Sequence, residues 1–270
     1  MAEPLYRRIA EDLARKIRSG ELRPGSQLPT ELELERIYRA SRNTVREAVR
    51  LLTSRRMVWA ERGRGTFVAE RIEPFVTTLS ATHDVRQGTG EGNAYLREVE
   101  IRGRAPSTSE PIVEVQTAEG RLASELRIAA GSQLVSRHQQ RYIDGLPYSL
   151  QTSFYPMTLV ERGATDLLKA EIIRTGAVAY IERALHVKQA GYSDLITARA
   201  PDLTETAFFK LPEDGRVAVF ENVRTAFDQH GAPIRVTITT YPTDRNEFVI
   251  NSGEVRAEEA FPQPLAIGRG

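Results

Sequence analysis

The sequence of 270 residues contains no cysteine and only four histidines. Without cysteine, the chain can form neither disulfides nor cysteine-ligated zinc or iron–sulfur sites. His83, His138, His186 and His230 do not have the spacing of metal ligands, and no Ser/His/Asp arrangement suggests catalysis. We therefore expect neither an enzyme nor a bound metal or other cofactor.

Long apolar runs are also lacking. No stretch approaches the ~20 apolar residues that a membrane-spanning helix needs, and the N-terminus lacks the apolar core of a signal peptide. The hydrophobic content of 40% and the charged content of 27% are those of a globular protein, and 270 residues suffice for two domains. These features predict a cytoplasmic protein with no membrane partner.

The net charge is small overall, but charge is unevenly distributed. Residues 1–68 hold 15 Lys/Arg and 9 Asp/Glu, a net charge of +6. Since the whole chain carries +1, residues 69–270 carry −5. A basic N-terminal segment (residues 1–68, the basic head) followed by an acidic remainder is expected when only the N-terminal segment binds a polyanion.

Two helices are predicted in the first part of the basic head. An apolar stripe from Leu5 to Ile17 has helical spacing, and Gly20 is well placed to end that helix. Thr30 and Glu33 have the spacing of a capping box, which predicts a second helix over about residues 31–38.

A third helix follows after a short turn, which gives helix-turn-helix spacing. Its apolar face consists of Val45, Ala48, Val49 and Leu52, and its opposite face of Arg42, Asn43, Arg46 and Arg50. Ser41 is a plausible N-cap, so the positive end of the helix dipole would point outward together with these side chains.

A short hairpin is predicted next. Met57–Glu61 and Thr66–Val68 have strand character, and a glycine-punctuated turn with Arg62 and Arg64 at its tip joins them. Guanidinium groups are attracted to the narrow, negative minor groove of DNA. Taken singly, the helix and the hairpin fit a solvated basic face and an ordinary turn equally well, but together they favour a DNA-binding winged helix.

The run LPTELELERIYRASRNTVREAVRLL, followed by ERGRGTFVA, resembles the winged helix-turn-helix of the GntR family of bacterial transcription regulators. The resemblance covers about residues 5–69. It implies that Ser41, Arg42, Asn43, Thr44 and Arg46 contact phosphates and base edges and that Gly63 approaches the DNA backbone. At Leu32, where many members carry an operator-reading arginine, leucine cannot donate that hydrogen bond.

The residues expected to bind double-stranded DNA are Ser41, Arg42, Asn43, Thr44, Arg46, Arg50, Arg62, Gly63 and Arg64. Arg42 and Arg46 are expected to read bases, or to combine base reading with phosphate contacts, because arginine paired with guanine O6 and N7 is the commonest specific contact. Ser41, Asn43 and Thr44 would mainly position the helix on phosphates.

The domain organisation that we predict has four parts, namely a DNA-binding domain (1–69), a linker (70–94), an effector-binding and dimerisation domain (95–258) and a tail (259–270). The segment GTGEGN in the linker does not match a phosphate-binding loop pattern.

The larger domain is predicted to be α+β with an antiparallel sheet. Strands are expected in LREVEIRGR, PIVEVQTAE and EFVIN, and in two long hairpins that turn at Asp144-Gly145 and His230-Gly231. Helices are expected over residues 119–127, 159–171, 176–185 and 202–210.

The succession RYIDGLPYSLQTSFYP, then ITARAPDLTETAFFKLPEDGRVAVFENVRTAFDQHGAPIRVTITTYPTDRNEF, is similar to the UTRA effector-binding domain of the HutC subfamily, whose fold is like that of chorismate lyase. It covers about residues 95–255. The resemblance implies an effector site that includes Gln139, Arg141, Gln151, Ser153, Arg235 and Tyr241.

Three of these positions depart from the subfamily: Gln139 stands where arginine is frequent, and Gln151 and Arg235 stand where glutamate is frequent. A phosphosugar or amino-sugar ligand is therefore not implied directly. Arg141 could make a forked contact to a carboxylate or phosphate of an effector. In the alternative interpretation, Arg141 pairs with an acid on the sheet and Tyr241 packs in the core.

The function predicted from the sequence is a transcription regulator, most simply a repressor. A homodimer would place two recognition helices in successive major grooves of a pseudo-palindromic operator, and a small-molecule effector would release it. The alternatives are a DNA-binding protein without an effector and a chorismate-lyase-like enzyme fused to a DNA-binding domain.

Overall fold

The chain divides into two compact units between residues 73 and 74. The structure, a computed structural model, describes residues 4–55, 57–61, 63–69, 74–80, 92–212, 215 and 217–251. The N-terminal unit contains helices α1 (Leu5–Arg18), α2 (Glu31–Tyr38) and α3 (Arg42–Ser54), and strands β1 (Val58–Glu61) and β2 (Gly65–Val68). The predicted winged helix-turn-helix is confirmed.

Side-chain caps set the starts of α2 and α3. The hydroxyl of Thr30 accepts a hydrogen bond from the Glu33 amide, and the Glu33 carboxylate accepts one from the Thr30 amide at 2.7 Å. This is the predicted capping box. Helix α2 ends at Arg39, which adopts a left-handed conformation (φ 47°) and turns the chain toward α3.

One apolar core holds the three helices and the hairpin together. Its buried members come from every element of the unit: Ile9, Ala10, Leu13, Ala14, Leu28, Leu34, Val45, Ala48, Leu52, Val58 and Val68. Because α3 buries this face, its charged face is left to solvent.

The C-terminal unit is α+β, as predicted. Its strands are β3 (Phe75–Ser80), β4 (Pro106–Thr108), β5 (Ile112–Thr117), β6 (Gln133–Ile143), β7 (Leu146–Pro156), β8 (Gln189–Arg199), β9 (Val219–Asp228), β10 (Pro233–Pro242) and β11 (Asn246–Asn251). Its helices are α4 (Gly92–Ile101), α5 (Gly120–Leu126), α6 (Met157–Glu161), α7 (Ala177–Leu185) and α8 (Leu203–Phe209), with a 3₁₀ helix at Thr165–Leu168.

Seven strands form one antiparallel sheet in the order β4-β6-β7-β10-β9-β8, and β5 also pairs with β6. The remaining two strands, β3 and β11, pair in parallel. The predicted hairpins are β6–β7 and β9–β10, and they lie side by side because β7 pairs with β10. None of the described helices is long and apolar enough to cross a bilayer.

A tight turn and an adjacent bulge, where the pairing shifts between Arg141 and Tyr142, set the register of β6 and β7. Asp144 and Gly145 both have positive φ, 52° and 77°, which is the two-residue turn that matches strand twist. The Asp144 carboxylate accepts hydrogen bonds from the Ala105 amide at 2.8 Å and from Arg104 Nε at 2.7 Å. These contacts also lower the pKa of Asp144.

The two faces of the sheet are covered differently. On one face, α5 packs on Phe154, Val223 and Val236, and α8 packs its Phe209 near Leu150. On the other face, α6, the 3₁₀ helix and α7 cover one end of the sheet, where the buried sheet residues are Val135, Tyr155 and Ala226.

Three expectations for the C-terminal unit were wrong. Residues 96–104, expected as a strand, belong largely to α4, because Tyr95 and Val99 are buried one helical turn apart. The helix expected over 159–171 is broken into α6 and the 3₁₀ helix, since Gly163 between them has a φ of 122°. Within the predicted linker 70–94, Phe75–Ser80 forms β3.

The sequence prediction also missed β8. Half-buried and exposed residues alternate along its middle, but the sequence does not show this pattern, because the half-buried Asp194 is charged and the apolar Leu195 is 50% exposed. The predicted tail, residues 259–270, lies outside the described residues.

Acidification should destabilise the fold through His138. Burial lowers the pKa of His138 below its usual 6.5, and its ring nitrogen Nδ1 lies 2.9 Å from Thr152 Oγ1. The folded state therefore binds fewer protons than the unfolded chain once the pH falls below about 6.5, so stability is lost there.

We expect the thermal midpoint of the wild type to fall by a few degrees between pH 7.5 and 5.5, and that of His138→Gln to fall less. Carboxylates with a lowered pKa would act only at lower pH. His230→Gln, in the exposed β9–β10 loop, is the control and should behave like the wild type. Equal pH dependence in all three proteins would contradict the assignment.

Candidate DNA interface and effector site

The start of α3 is held by Ser41. Its hydroxyl accepts a hydrogen bond from the Thr44 amide at 3.3 Å and lies 2.9 Å from the Thr44 hydroxyl. The helix therefore begins at Arg42, with its positive dipole end next to Ser41, Arg42 and Asn43, all of which are exposed. This arrangement suits an anionic or hydrogen-bond-accepting ligand.

The exposed face of α3 carries guanidinium groups one helical turn apart. The side chain of Arg42 is 70% exposed and that of Arg46 is 51% exposed, and Asn43 and Arg50 are also exposed. Both Arg42 and Arg46 contact the carboxylate of Glu31 on α2. The sequence prediction did not include Glu31.

The wing is a hairpin of two four-residue strands in which Val58 pairs with Val68 and Glu61 with Gly65. Trp59 and Phe67 are cross-strand partners, and their rings stack with centroids 4.9 Å apart. Trp59, the one tryptophan of the chain, is 39% exposed, so its fluorescence can report on the wing.

The tip of the wing is anchored to the loop between α1 and α2. The Gln27 side chain donates a hydrogen bond to the Arg64 carbonyl at 2.8 Å, and the Leu28 amide donates one to the Thr66 carbonyl at 2.7 Å. The Arg64 side chain is 69% exposed and lies 2.7 Å from Glu61. Arg62 lies outside the described residues.

In the C-terminal unit, all six predicted effector residues lie on one face of the sheet. They occupy alternate positions of three adjacent strands: Gln139 and Arg141 on β6, Gln151 and Ser153 on β7, and Arg235 and Tyr241 on β10. In this register Gln139 is opposite Gln151, which is opposite Thr239 on β10. The structure therefore brings together the six residues that the family resemblance indicated.

Most hydrogen bonds of these residues are with other polar residues of the sheet or of the loops beside it. Gln151 donates to the Ser153 hydroxyl at 3.2 Å, and that hydroxyl lies 3.2 Å from the Thr237 hydroxyl. Arg235 donates to the Gln189 side chain at 3.2 Å. Gln139 donates to the Ser109 carbonyl, also at 3.2 Å.

Arg141 and Tyr241 lie toward the end of the face near α4. Arg141 is 2% exposed, and its guanidinium carbon is 4.8 Å from the centre of the Tyr95 ring. Tyr241 is buried, and its ring packs edge-on against Phe248 of β11, at 5.1 Å. The packing of Tyr241 agrees with the alternative that gave it a core role.

The same face continues across β9 and β8 with polar residues that the sequence prediction missed. Arg224 is opposite Thr237 on one side and Asp194 on the other. Its Nε and Nη2 each donate to the Asp194 carboxylate at 2.7 Å, and the Asn222 amide donates to the same carboxylate at 3.1 Å. The alternation along β9 could have indicated Asn222 and Arg224, but Asp194 required the recognition of β8 as a strand.

Several buried polar atoms on this face have no hydrogen-bond partner among the described residues: Ser149 Oγ, Gln151 Oε1 and Asn222 Oδ1, with Tyr95 Oη above the face. A buried polar group without a partner costs about 1–3 kcal/mol. A polar ligand on this face would satisfy such atoms.

Arg137 also lies on this face but is engaged by main-chain atoms. Its guanidinium donates to the carbonyls of Leu167, Lys169 and Glu171 at 2.7–2.8 Å and holds the chain that follows the 3₁₀ helix. Among the described residues, no three or more His, Asp or Glu side chains form a group that could hold a metal.

Comparison with known proteins agrees with both units. Residues 5–68 match the family described as bacterial regulatory proteins, gntR family, and residues 102–247 match the UTRA domain. The chain belongs to the GntR family of transcription regulators that carry a UTRA domain.

Individual relatives are similar over most or part of the chain. The chain is 27% identical to the HTH-type transcriptional regulator GgaR of Escherichia coli (strain K12) over 246 residues, 91% of this chain and 90% of GgaR. It is 30% identical to the mannosyl-D-glycerate transport/metabolism system repressor MngR of the same strain over 157 residues, 58% of this chain and 60% of MngR. The crystal structure of PhnF from Mycobacterium smegmatis has a TM-score of 0.55 and 23% identity, covering 92% of this chain and all of PhnF, which supports the fold.

Gly65 in the wing of this GntR-family chain is a position where a side chain would be costly. Gly65 has a φ of 120°, and a Cβ there would lie 2.4 Å from Gln27 Nε2. Gly65→Ala therefore strains the backbone and displaces Gln27 from the Arg64 carbonyl, so we expect a loss of about 1–3 kcal/mol in the stability of the N-terminal unit.

Unfolding followed by Trp59 emission measures this loss. The control is Gly63→Asn, because Gly63 has a φ of 79° with open space around its Cβ position, and asparagine tolerates the left-handed region better than other residues. The anchoring role of Gln27 and Gly65 is wrong if both variants unfold at the same temperature.

Proposed function

We propose that this chain is a repressor that binds a pseudo-palindromic operator as a homodimer and that a small polar molecule releases it. The observation that carries the proposal is the pair of exposed guanidinium groups, Arg42 and Arg46, at the capped start of α3. The relative MngR is a repressor, which supports repression as the mode of action.

On the DNA side, Arg42 and Arg46 read base edges in the major groove. Ser41, Asn43 and Thr44 surround the start of α3 and donate hydrogen bonds to phosphates, and Arg50 extends the basic face by one more turn. The wing, with Arg62, Gly63 and Arg64, follows the backbone or the minor groove. This surface works in the cytosol, where the chromosome is.

Dimerisation is supported by the open edge of the sheet. The strand β8 has 11 residues on the outer edge, where no described strand pairs with it. It contains neither proline nor lysine, which commonly protect edge strands against pairing. An antiparallel pairing of β8 with its copy would be isologous, as a two-fold symmetric dimer requires.

The effector side is the polar face of β6, β7 and β10, with Gln139, Arg141, Gln151, Ser153, Arg235 and Tyr241. Two kinds of group converge there. Arginines can hold an anionic group, and the carbonyl oxygens of Gln151 and Asn222 accept hydrogen bonds from hydroxyl or amine groups. The ligand we propose is therefore a small polar molecule with donors and an anionic group.

Release follows if the ligand favours a dimer arrangement whose two α3 helices do not match the operator spacing. A ligand shifts this equilibrium only by its difference in affinity for the two arrangements.

Two other functions are distinguished by experiment. A DNA-binding protein without an effector predicts no ligand-dependent thermal shift. A chorismate-lyase-like enzyme predicts turnover of chorismate, which we expect to be nil.

Arg46→Ala should abolish most of the operator preference. An arginine bidentate to guanine contributes about 1–3 kcal/mol of discrimination, so we expect the affinity ratio between operator and random duplex to fall about 5- to 150-fold. Competition binding to a duplex selected by the wild type, against a shuffled duplex, measures the ratio. An equal loss for both duplexes would remove Arg46 from base reading.

The matched control is Arg64→Ala on the wing. Because it removes a backbone contact, it should weaken both duplexes alike and reduce the salt dependence of log K by about one unit of slope. An unchanged slope would assign Arg64 a structural role only.

The effector site is tested with a panel of phosphorylated, carboxylated and neutral sugars and organic acids. A compound that raises the thermal midpoint of the full chain should also release DNA, and Arg141→Gln should weaken that compound at least tenfold. Arg162→Gln, an exposed residue after α6, is the control. If a compound binds and releases DNA equally well in both variants, Arg141 does not bind the effector.

A further inference from the structure

Glu31 is the first residue of α2, and its side chain faces the recognition helix. One carboxylate oxygen accepts a hydrogen bond from Arg42 Nε at 3.1 Å, and the other lies 3.4 Å from Arg46 Nε. A single carboxylate thus holds two guanidinium groups that are one turn apart on α3. The capping box at Thr30 fixes the start of α2 and therefore the position of Glu31.

Both contacts use the Nε edge of the guanidinium group. Arginine has five N–H donors in a planar fork, and the two Nη atoms are at the end of the side chain. A carboxylate at Nε leaves the Nη edge of each arginine directed away from Glu31. Two parallel N–H donors on that edge are what guanine O6 and N7 accept.

The contribution of these ion pairs to folding is expected to be small. All three side chains are exposed by 41% or more, and exposed ion pairs contribute about 0–1 kcal/mol. Their effect should appear in binding instead, because an arginine side chain has ~2 kcal/mol of rotamer entropy to lose when it is ordered. Orienting the side chain in advance reduces that loss.

We propose that Glu31 is a positioning residue for base reading, which orients Arg42 and Arg46 together toward the major groove. The inference rests on the proposed DNA-binding function and adds a residue that does not itself need to touch a base. A negative charge near the phosphates also opposes general attraction to DNA. Glu31 thus raises the preference for the operator and lowers affinity for other sequences.

The test compares two duplexes: the best one that the wild type selects from a random-sequence library, and a shuffled duplex of equal composition. For Glu31→Gln and Glu31→Ala, we expect the affinity ratio between the two to fall about tenfold. Affinity for the shuffled duplex should stay the same or rise. The control Glu35→Gln makes the same charge change one turn along α2, where the structure shows no hydrogen bond to either arginine.

A second measurement separates positioning from a merely structural role. Independent effects of the two substitutions would multiply in the affinity ratio between the selected and the shuffled duplex. If Glu31 acts through Arg46, the double variant Glu31→Gln/Arg46→Ala should lose clearly less of that ratio than this product. Unfolding followed by Trp59 emission should show each variant folded. Independent losses would overturn the proposal.

The outcomes distinguish this inference from the proposed function. If the wild type selects no duplex, the proposed function fails. If the wild type selects a duplex and Glu31→Gln keeps its full preference, or gains affinity for both duplexes equally as Glu35→Gln does, only the role of Glu31 is overturned.

Discussion

The alternation of side chains along a β-strand is the constraint on which the C-terminal unit depends. The register of β6, β7, β10 and β9 keeps the candidate effector residues on one face and Phe154, Val223 and Val236 on the other. A slip of one residue would exchange the two faces and bury Arg141 and Gln151 under α5 and α8. The tight turn at Asp144-Gly145, which is anchored to Arg104, and the register shift next to it, between Arg141 and Tyr142, together set the pairing of the first hairpin. Because the adjacent hairpin pairs with β7, it inherits the same register.

Sequence reasoning worked best where short-range interactions decide the structure. The capping box at Thr30 and the cap at Ser41 use atoms within three residues, so the bounds of α2 and α3 could be predicted closely. Sequence reasoning failed where tertiary contacts determine the local structure. The alternating run at residues 96–104 also carries a helical pair, Tyr95 and Val99, and only packing on the sheet selects the helix. In the edge strand β8, burial alternates but polarity does not follow it, since Asp194 lies on the half-buried side and Leu195 on the exposed side.

The same difference explains which site residues could be predicted. Alternation within β6, β7 and β10 is a property of the sequence, but the six polar residues lie on one face only because the pairing of β6 with β7 shifts by one residue between Arg141 and Tyr142. By contrast, Asp194 meets Arg224 only through the pairing of β8 with β9. Glu31 meets Arg42 and Arg46 only through the crossing of α2 and α3. Neither contact could be predicted from spacing in the sequence. The partners are 11 or more residues apart and meet only through the tertiary packing of their elements.

The two units use arginine in opposite ways, and burial accounts for the difference. Arg224 is 2% exposed and paired with Asp194, and breaking such a buried pair typically costs 3–5 kcal/mol. Arg137 is similarly fixed by main-chain carbonyls. These groups are suited to holding one arrangement of the sheet. Arg42 and Arg46 share an exposed carboxylate, so their remaining N–H donors stay accessible to DNA. Exposed arginines can therefore bind and release successive DNA sequences without the breaking of a buried ion pair, which a search for one operator requires.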